Sequence, residues 1–292
     1  MNPEDFFSTP HFLGFIYICI GLLGLVVGSF LNVVILRLPK IMESSWHSQC
    51  CDLLEIANNE PPTKLGLAFP ASHCPKCQAP IKPWQNIPVI SYLFLRGKCA
   101  CCKAPISLRY PVIELATGIL SVCVIILWGP TPVAFALLVL TWCLITLTVI
   151  DFDTQLLPDS ITLPLIWAGL IVNSFGLVTD LPSALWGAVF GYLSLWSVFW
   201  LFKILTGKEG MGYGDFKLLA ALGAWAGWQV LPLIIILSSL VGAIIGIGLI
   251  LIKGRDKNIP IPFGPYLAIA GWIALMWGNE LTATYLQFAN IG

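Results

Sequence analysis

The sequence predicts an all-α polytopic membrane protein with about eight transmembrane helices and one cysteine-rich loop on the cytoplasmic side. Of its 292 residues, 58% are hydrophobic and only 10% charged, against about 25% charged in soluble domains. Mean hydropathy is +0.87. Eight apolar runs divide the chain, and a membrane-crossing helix needs about 20 apolar residues. This composition excludes a disordered chain, a secreted disulfide scaffold and a nucleic-acid-binding domain. The lipid bilayer is the expected partner, and nucleic acid is not.

The runs lie near 12–36, 111–128, 132–150, 160–178, 183–205, 214–228, 230–252 and 264–286. Pro and Gly mark most boundaries, as in Trp128-Gly129-Pro130-Thr131-Pro132 and Pro262-Phe263-Gly264-Pro265. The sixth run is short, opens Gly214-Asp215-Phe216-Lys217, and is expected to tilt or to enter only partway. Glu4 and Asp5 precede the first run and no small-residue cleavage site follows it, so a removed signal peptide is not expected. The organisation that follows is a first transmembrane helix in 1–37, a cytoplasmic domain in 38–110, and seven membrane helices in 111–292.

Charge orients the chain. Nine of the fifteen Lys and Arg lie between Arg37 and Arg109, in the one long loop. Lys203, Lys208, Lys217, Lys253, Arg255 and Lys257 flank the exits of the fifth and seventh runs. With eight spans all fifteen fall on one side, and positive residues stay in the cytoplasm. Both termini are then periplasmic, and the 38–110 loop is cytoplasmic.

That loop holds Cys74-Pro-Lys-Cys77 and Cys99-Ala-Cys-Cys102. Paired C-x-x-C motifs resemble a zinc ribbon, because a two-residue spacer lets a tight turn aim both thiolates at one tetrahedral cation. Cys74, Cys77, Cys99 and Cys102 are the expected ligands and Cys101 the spare. An iron–sulfur cluster is the competing occupant, and a disulfide pair fits poorly in a reducing compartment. Four thiolates leave no open position for substrate, so the expected Zn2+ is structural. Cys19, Cys123 and Cys143 read as small apolar residues within spans.

Acids outside the loop are few. Asp151 closes the third run and Asp215 opens the sixth, both at the cytoplasmic interface by this topology. Asp159 reads as the N-cap of the fourth helix, and Asp153 as a solvated loop residue. Gly212-Tyr213-Gly214 before Asp215 allows close backbone approach or positive φ. Asp151 has no evident structural task. Ionisable groups at membrane depth are functional candidates by default. Two such carboxyls brought together can share a proton, one serving as base and the other as acid. Glu114 reads as a structural residue in the first turn of the second helix, and Asn32 as an interhelical hydrogen-bonding residue.

These residues together resemble the bacterial type IV prepilin peptidases, a family of Gly-x-Gly-Asp aspartyl proteases. The resemblance covers nearly the whole chain. It includes Gly28-Ser29-Phe30-Leu31-Asn32, Arg37-Leu38-Pro39, both cysteine pairs and Pro83-Trp84-Gln85-Asn86-Ile87-Pro88. It continues through Leu95-Arg96-Gly97-Lys98, Asp151 with Pro158-Asp159, Gly212-Tyr213-Gly214-Asp215 and Pro262-Phe263-Gly264-Pro265. Leu36 and residues 41–70 depart from the pattern. The resemblance implies that Asp151 and Asp215 are catalytic. It also implies leader cleavage of prepilins and pseudopilins at the inner membrane's cytoplasmic face, with S-adenosylmethionine as donor for methylation of the new amino terminus. The competing expectations are a transporter, whose acids would line a path through the bilayer, and a non-catalytic zinc-bearing scaffold for pilus assembly.

Overall fold

The computed structural model describes residues 10–56, 65–253 and 262–288. Glu4, Asp5, Lys64, Arg255 and Lys257, which enter the charge reading, lie outside the described residues. Among those described, the chain is helical with no strand beyond two isolated bridges. A helix lies on each apolar run, and five helices are long and apolar enough to cross a membrane. The chain divides into two compact units, 1–130 and 131–292.

In the first unit, α1 (Pro10–Leu53) packs along α3 (Arg109–Trp128), and the short α2 (Ile90–Phe94) lies in the loop between them. Gly24 and Gly28 form a small-xxx-small stripe that lets two membrane helices approach closely. A Cβ on Gly24 would stand 2.8 Å from Gly118 Cα, and one on Gly28 would stand 2.8 Å from Glu114 Cα. Asn32 Nδ2 donates to the carbonyl of Tyr110 at 3.2 Å, the interhelical bond expected of it. This stripe packs the second apolar run against the first.

The helix begun by the first run does not stop near residue 37. It continues through Pro39 to Leu53. Hydropathy marks where lipid ends; it does not mark where a helix ends, and residues 41–53 contain neither Gly nor Pro to break one. Arg37 then ties the loop back, its guanidinium donating to the carbonyls of Gly66 (3.0 Å), Leu67 (3.3 Å) and Pro70 (2.7 Å).

The second unit contains α4 (Pro132–Thr154), α5 (Asp159–Ser174), α6 (Leu181–Thr206), α7 (Tyr213–Ala226), α8 (Leu231–Lys253) and α9 (Gly264–Phe288). The starts of α4 and α6 follow their sequence signals. Thr131 accepts the N–H of Ala134, Asp180 accepts that of Ser183, and each helix has Pro in its first turn. The central element is α7, whose fourteen residues span only about 21 Å. Asp215, Phe216 and all of Leu218–Trp225 are buried, so it needs no polar face. Gly187 and Gly191 of α6 meet the α7 backbone directly, Gly187 against Gly223 and Gly191 against Leu219. Gly169 of α5 leaves room for the Trp225 indole, whose Nε1 donates to the Leu165 carbonyl at 2.9 Å.

Candidate functional site

Three carboxylates are buried among the described residues: Glu114, Asp151 and Asp215. Glu114 has a structural partner, since its Oε2 accepts the N–H of Val89 at 2.8 Å. It sits in the second turn of α3 rather than the first, so the helix terminus does not bind it. The other two lie in the second unit, within electrostatic range of one another. Both sequence-selected acids are therefore buried at helix ends of the same unit.

Asp151 occupies the last turn of α4. Its carbonyl accepts from Gln155, which ends the helix in the left-handed conformation at φ 56°. Its Oδ2 accepts the N–H of Gly264 at 3.0 Å, at the first residue of α9. Helix N-termini present unpaired N–H groups, so this contact fixes the orientation of the carboxyl. A Cβ on Gly264 would stand 2.7 Å from that same Oδ2, so any other residue here must displace the carboxyl.

Asp215 is the third residue of α7. Gly212 is the N-cap residue, with φ −85° and ψ 153°, so Asp215 is not the cap. Neither Gly212 nor Gly214 takes positive φ; Gly214 serves by close approach, since a Cβ on it would stand 2.7 Å from Leu157 Cβ. Leu157 also lies against Gly264, so one side chain bridges the glycine beside each acid. An aromatic cluster holds the turn: Tyr213 packs on Phe199 (5.3 Å) and Phe216 (5.4 Å). Sequence reasoning missed Leu157 as a link, and its place beside Pro158-Asp159 gave no signal.

Asp159 also departs from expectation. Pro158 holds the N-cap position of α5, its ring fixing φ at −61° and ψ lying at 126°. Asp159 is the first helical residue, and both its oxygens accept from Lys217 Nζ at 2.7 Å. The pair ties the start of α5 to the first turns of α7, next to Asp215.

In the first unit the four expected thiols converge. The Sγ atoms of Cys74, Cys77, Cys99 and Cys102 all lie within 4.8 Å of one another. Cys74–Cys102 is 3.8 Å and Cys77–Cys99 is 4.0 Å. A tetrahedron with Zn–S bonds of about 2.3 Å has edges of about 3.8 Å, so one such ion fits. Iron–sulfur clusters place several atoms between thiolates and would hold them further apart. The N–H groups of Cys77 and Lys76 draw the Cys74 thiol down to about 6, and those of Cys102 and Cys101 lower Cys99. The N–H of Ala79 also draws Cys77 down, but burial and the sulfurs of Cys102, Cys74 and Cys99 outweigh it and push that thiol up to about 12. Four touching thiols cannot all ionise without a cation among them.

Each knuckle closes alike: Gln78 N–H to Cys74 O matches Lys103 N–H to Cys99 O, and Cys74 N–H to Ala79 O matches Cys99 N–H to Ala104 O. Gln78 and Lys103 both have φ 57°. The sequence signal for this symmetry is Cys-x-x-Cys-x-Ala-Pro-Ile, present at 74–81 and 99–106.

A helical unit with two buried aspartates, and a four-thiol cluster in the other unit, define a polytopic membrane protein with the groups of an aspartyl protease. Residues 22–128 match the Bacterial Peptidase A24 N-terminal domain, and residues 138–247 match the Type IV leader peptidase family. A relative in Stutzerimonas stutzeri named prepilin leader peptidase/N-methyltransferase is 57% identical over 291 residues, covering 100% of each chain. One of the same name in Pseudomonas aeruginosa is 59% identical, covering 97% of this chain and 98% of its own. Another in Aeromonas hydrophila is 54% identical over 96% and 97%. No solved structure matches the chain. The chain belongs to the type IV leader peptidase family.

Proposed function

We propose that this protein removes the leader peptides of type IV prepilins and pseudopilins at the cytoplasmic face of the inner membrane, and then methylates the amino terminus it has exposed. The observation that supports the proteolytic half is the placing of Asp151 and Asp215 as buried carboxyls at helix ends of one unit, within electrostatic range, with Leu157 packed against the glycine beside each. The relatives' shared name supports the substrate class and the second activity.

In this reading Asp151 and Asp215 share one proton. The ionised carboxyl takes a proton from water as the water oxygen bonds to the scissile carbonyl carbon. The protonated carboxyl donates to the carbonyl oxygen, and the C–N bond then breaks as the departing nitrogen gains a proton. The pair titrates as a unit, so its pKa values belong to both residues. Gly264 N–H and Leu157 hold the acids in register. S-adenosylmethionine supplies an electrophilic methyl group for the freed amine; that half rests on the relatives' name.

Proteolysis belongs to the helices of 111–292, and metal binding to the 38–110 loop, where Cys74, Cys77, Cys99 and Cys102 hold one structural Zn2+ that keeps a loop without a large core in shape. Charge puts that loop in the cytoplasm and both termini in the periplasm. Purified protein incubated with a prepilin, with and without S-adenosylmethionine, should yield the shortened pilin and its form heavier by one methyl. Asp151→Asn and Asp215→Asn should each abolish shortening while the protein stays folded in the membrane. Substantial cleavage by either variant refutes the pair.

A further inference from the structure

Residues 83–94, between the two cysteine knuckles, form a 3₁₀ turn (Pro83–Asn86) and α2. Spacing of three and four places Ile90, Leu93 and Phe94 on one face of α2, and all three are exposed, Phe94 to 84%. Trp84 and Ile87 extend the apolar surface toward the amino-terminal side. Five large apolar side chains facing outward together call for a partner.

The depth of the segment identifies that partner. Helix α3 has twenty residues, about 30 Å, which matches the hydrocarbon thickness with nothing to spare. Its first residue, Arg109, must then sit at the membrane boundary. Glu114 lies five residues further in and accepts the N–H of Val89, the residue immediately before α2. The segment is therefore tied alongside the first turns of a spanning helix and cannot hang in the cytosol. Charge agrees: residues 65–113 contain Lys76, Lys82, Arg96, Lys98, Lys103 and Arg109, and no Asp or Glu. Lys82 lies 5.1 Å over the Trp84 ring. An apolar helix face with a tryptophan and rimmed by basic groups is the composition of an interfacial helix on an anionic leaflet.

We infer that residues 84–94 are embedded in the lipid interface on the side where α3 begins, with Leu93 and Phe94 among the acyl chains and Lys82, Arg96 and Lys98 at the headgroups. The embedded face tethers the segment that joins the two cysteine knuckles to the membrane.

The test places the photoreactive residue p-benzoylphenylalanine at position 94, 93 or, as control, 76 in the full-length protein, reconstituted in vesicles of phosphatidylethanolamine and phosphatidylglycerol. Lys76 is exposed on the first knuckle. After irradiation, mass spectrometry should find lipid adducts at positions 93 and 94 at least tenfold more often than at 76. Cross-links from 93 and 94 to residues 131–292 or to a second copy, or no excess over position 76, overturn the inference. Adduct yield at 94 should fall in vesicles lacking phosphatidylglycerol, and an unchanged yield overturns the part assigned to charge. Position 93 and position 94 serve as independent sites should one substitution disturb folding.

Discussion

Gly264→Ala isolates the geometry of the acid pair from its chemistry. Residue 264 opens α9 and does not take positive φ, so alanine fits the backbone and keeps the N–H that Asp151 accepts. Only the new methyl group is added. It would stand 2.7 Å from Asp151 Oδ2, 3.1 Å from its Cγ and 3.2 Å from Leu157 Cδ1. Ordinary non-bonded separations are about 3.5 Å, so the carboxyl must retreat by roughly 0.5–0.8 Å. Crowding of this kind costs about 1–3 kcal/mol of stability, and a misplacement near 1 Å at a reacting group costs about 100-fold in rate. The expected outcome is a fall in kcat/KM for prepilin cleavage of about two orders of magnitude, with the protein still folded and inserted. Gly14→Ala, where nothing lies within 4 Å of the new atom, is the matched control and should cleave at the unmodified rate. If Gly264→Ala also cleaves at that rate, the position of Asp151 is immaterial, and its place in the reaction is lost.

Elemental analysis should find about one zinc per chain, reduced in Cys74→Ser, and acidification should release it because the ligands must be thiolates; visible absorbance from iron would contradict zinc. Asn173→Ala removes a side chain that donates to the carbonyls of Ala224 and Trp225 and accepts from Val178 and Thr179. With each abandoned buried group costing about 1–3 kcal/mol, unfolding in detergent should show a loss of about 3 kcal/mol or more. Gly223→Val drives a branched side chain into Gly187 of α6; little folded protein should reach the membrane fraction, and normal yield would contradict the packing.

The buried aspartates and the four cysteines that converge were legible in the sequence, because a lone carboxyl at a span boundary and a thiol pair at fixed spacing carry their chemistry locally. Helix positions were legible for the same reason: apolar runs report contact with lipid. The ends were not. Nothing apolar distinguishes residues 41–53, yet they continue α1 past Pro39 because no further breaker intervenes. Long-range partners were also hidden. Gly264 is 113 residues from the carboxyl it holds, and Lys217 lies 58 residues from Asp159. The glycine pairs 24/28 and 187/191 show their close-packing role only in the structure, through the helices they face.

The two acids ride on different packing groups. Asp215 belongs to the α5–α6–α7 trio, welded by glycine contacts, whereas Asp151 belongs to α4, which packs chiefly on α9. Between α4 and α7 there is no extensive contact; α9 and the 155–158 connection join the halves. The spacing of the carboxyls thus rests on α9, which packs against both groups and whose first N–H holds Asp151.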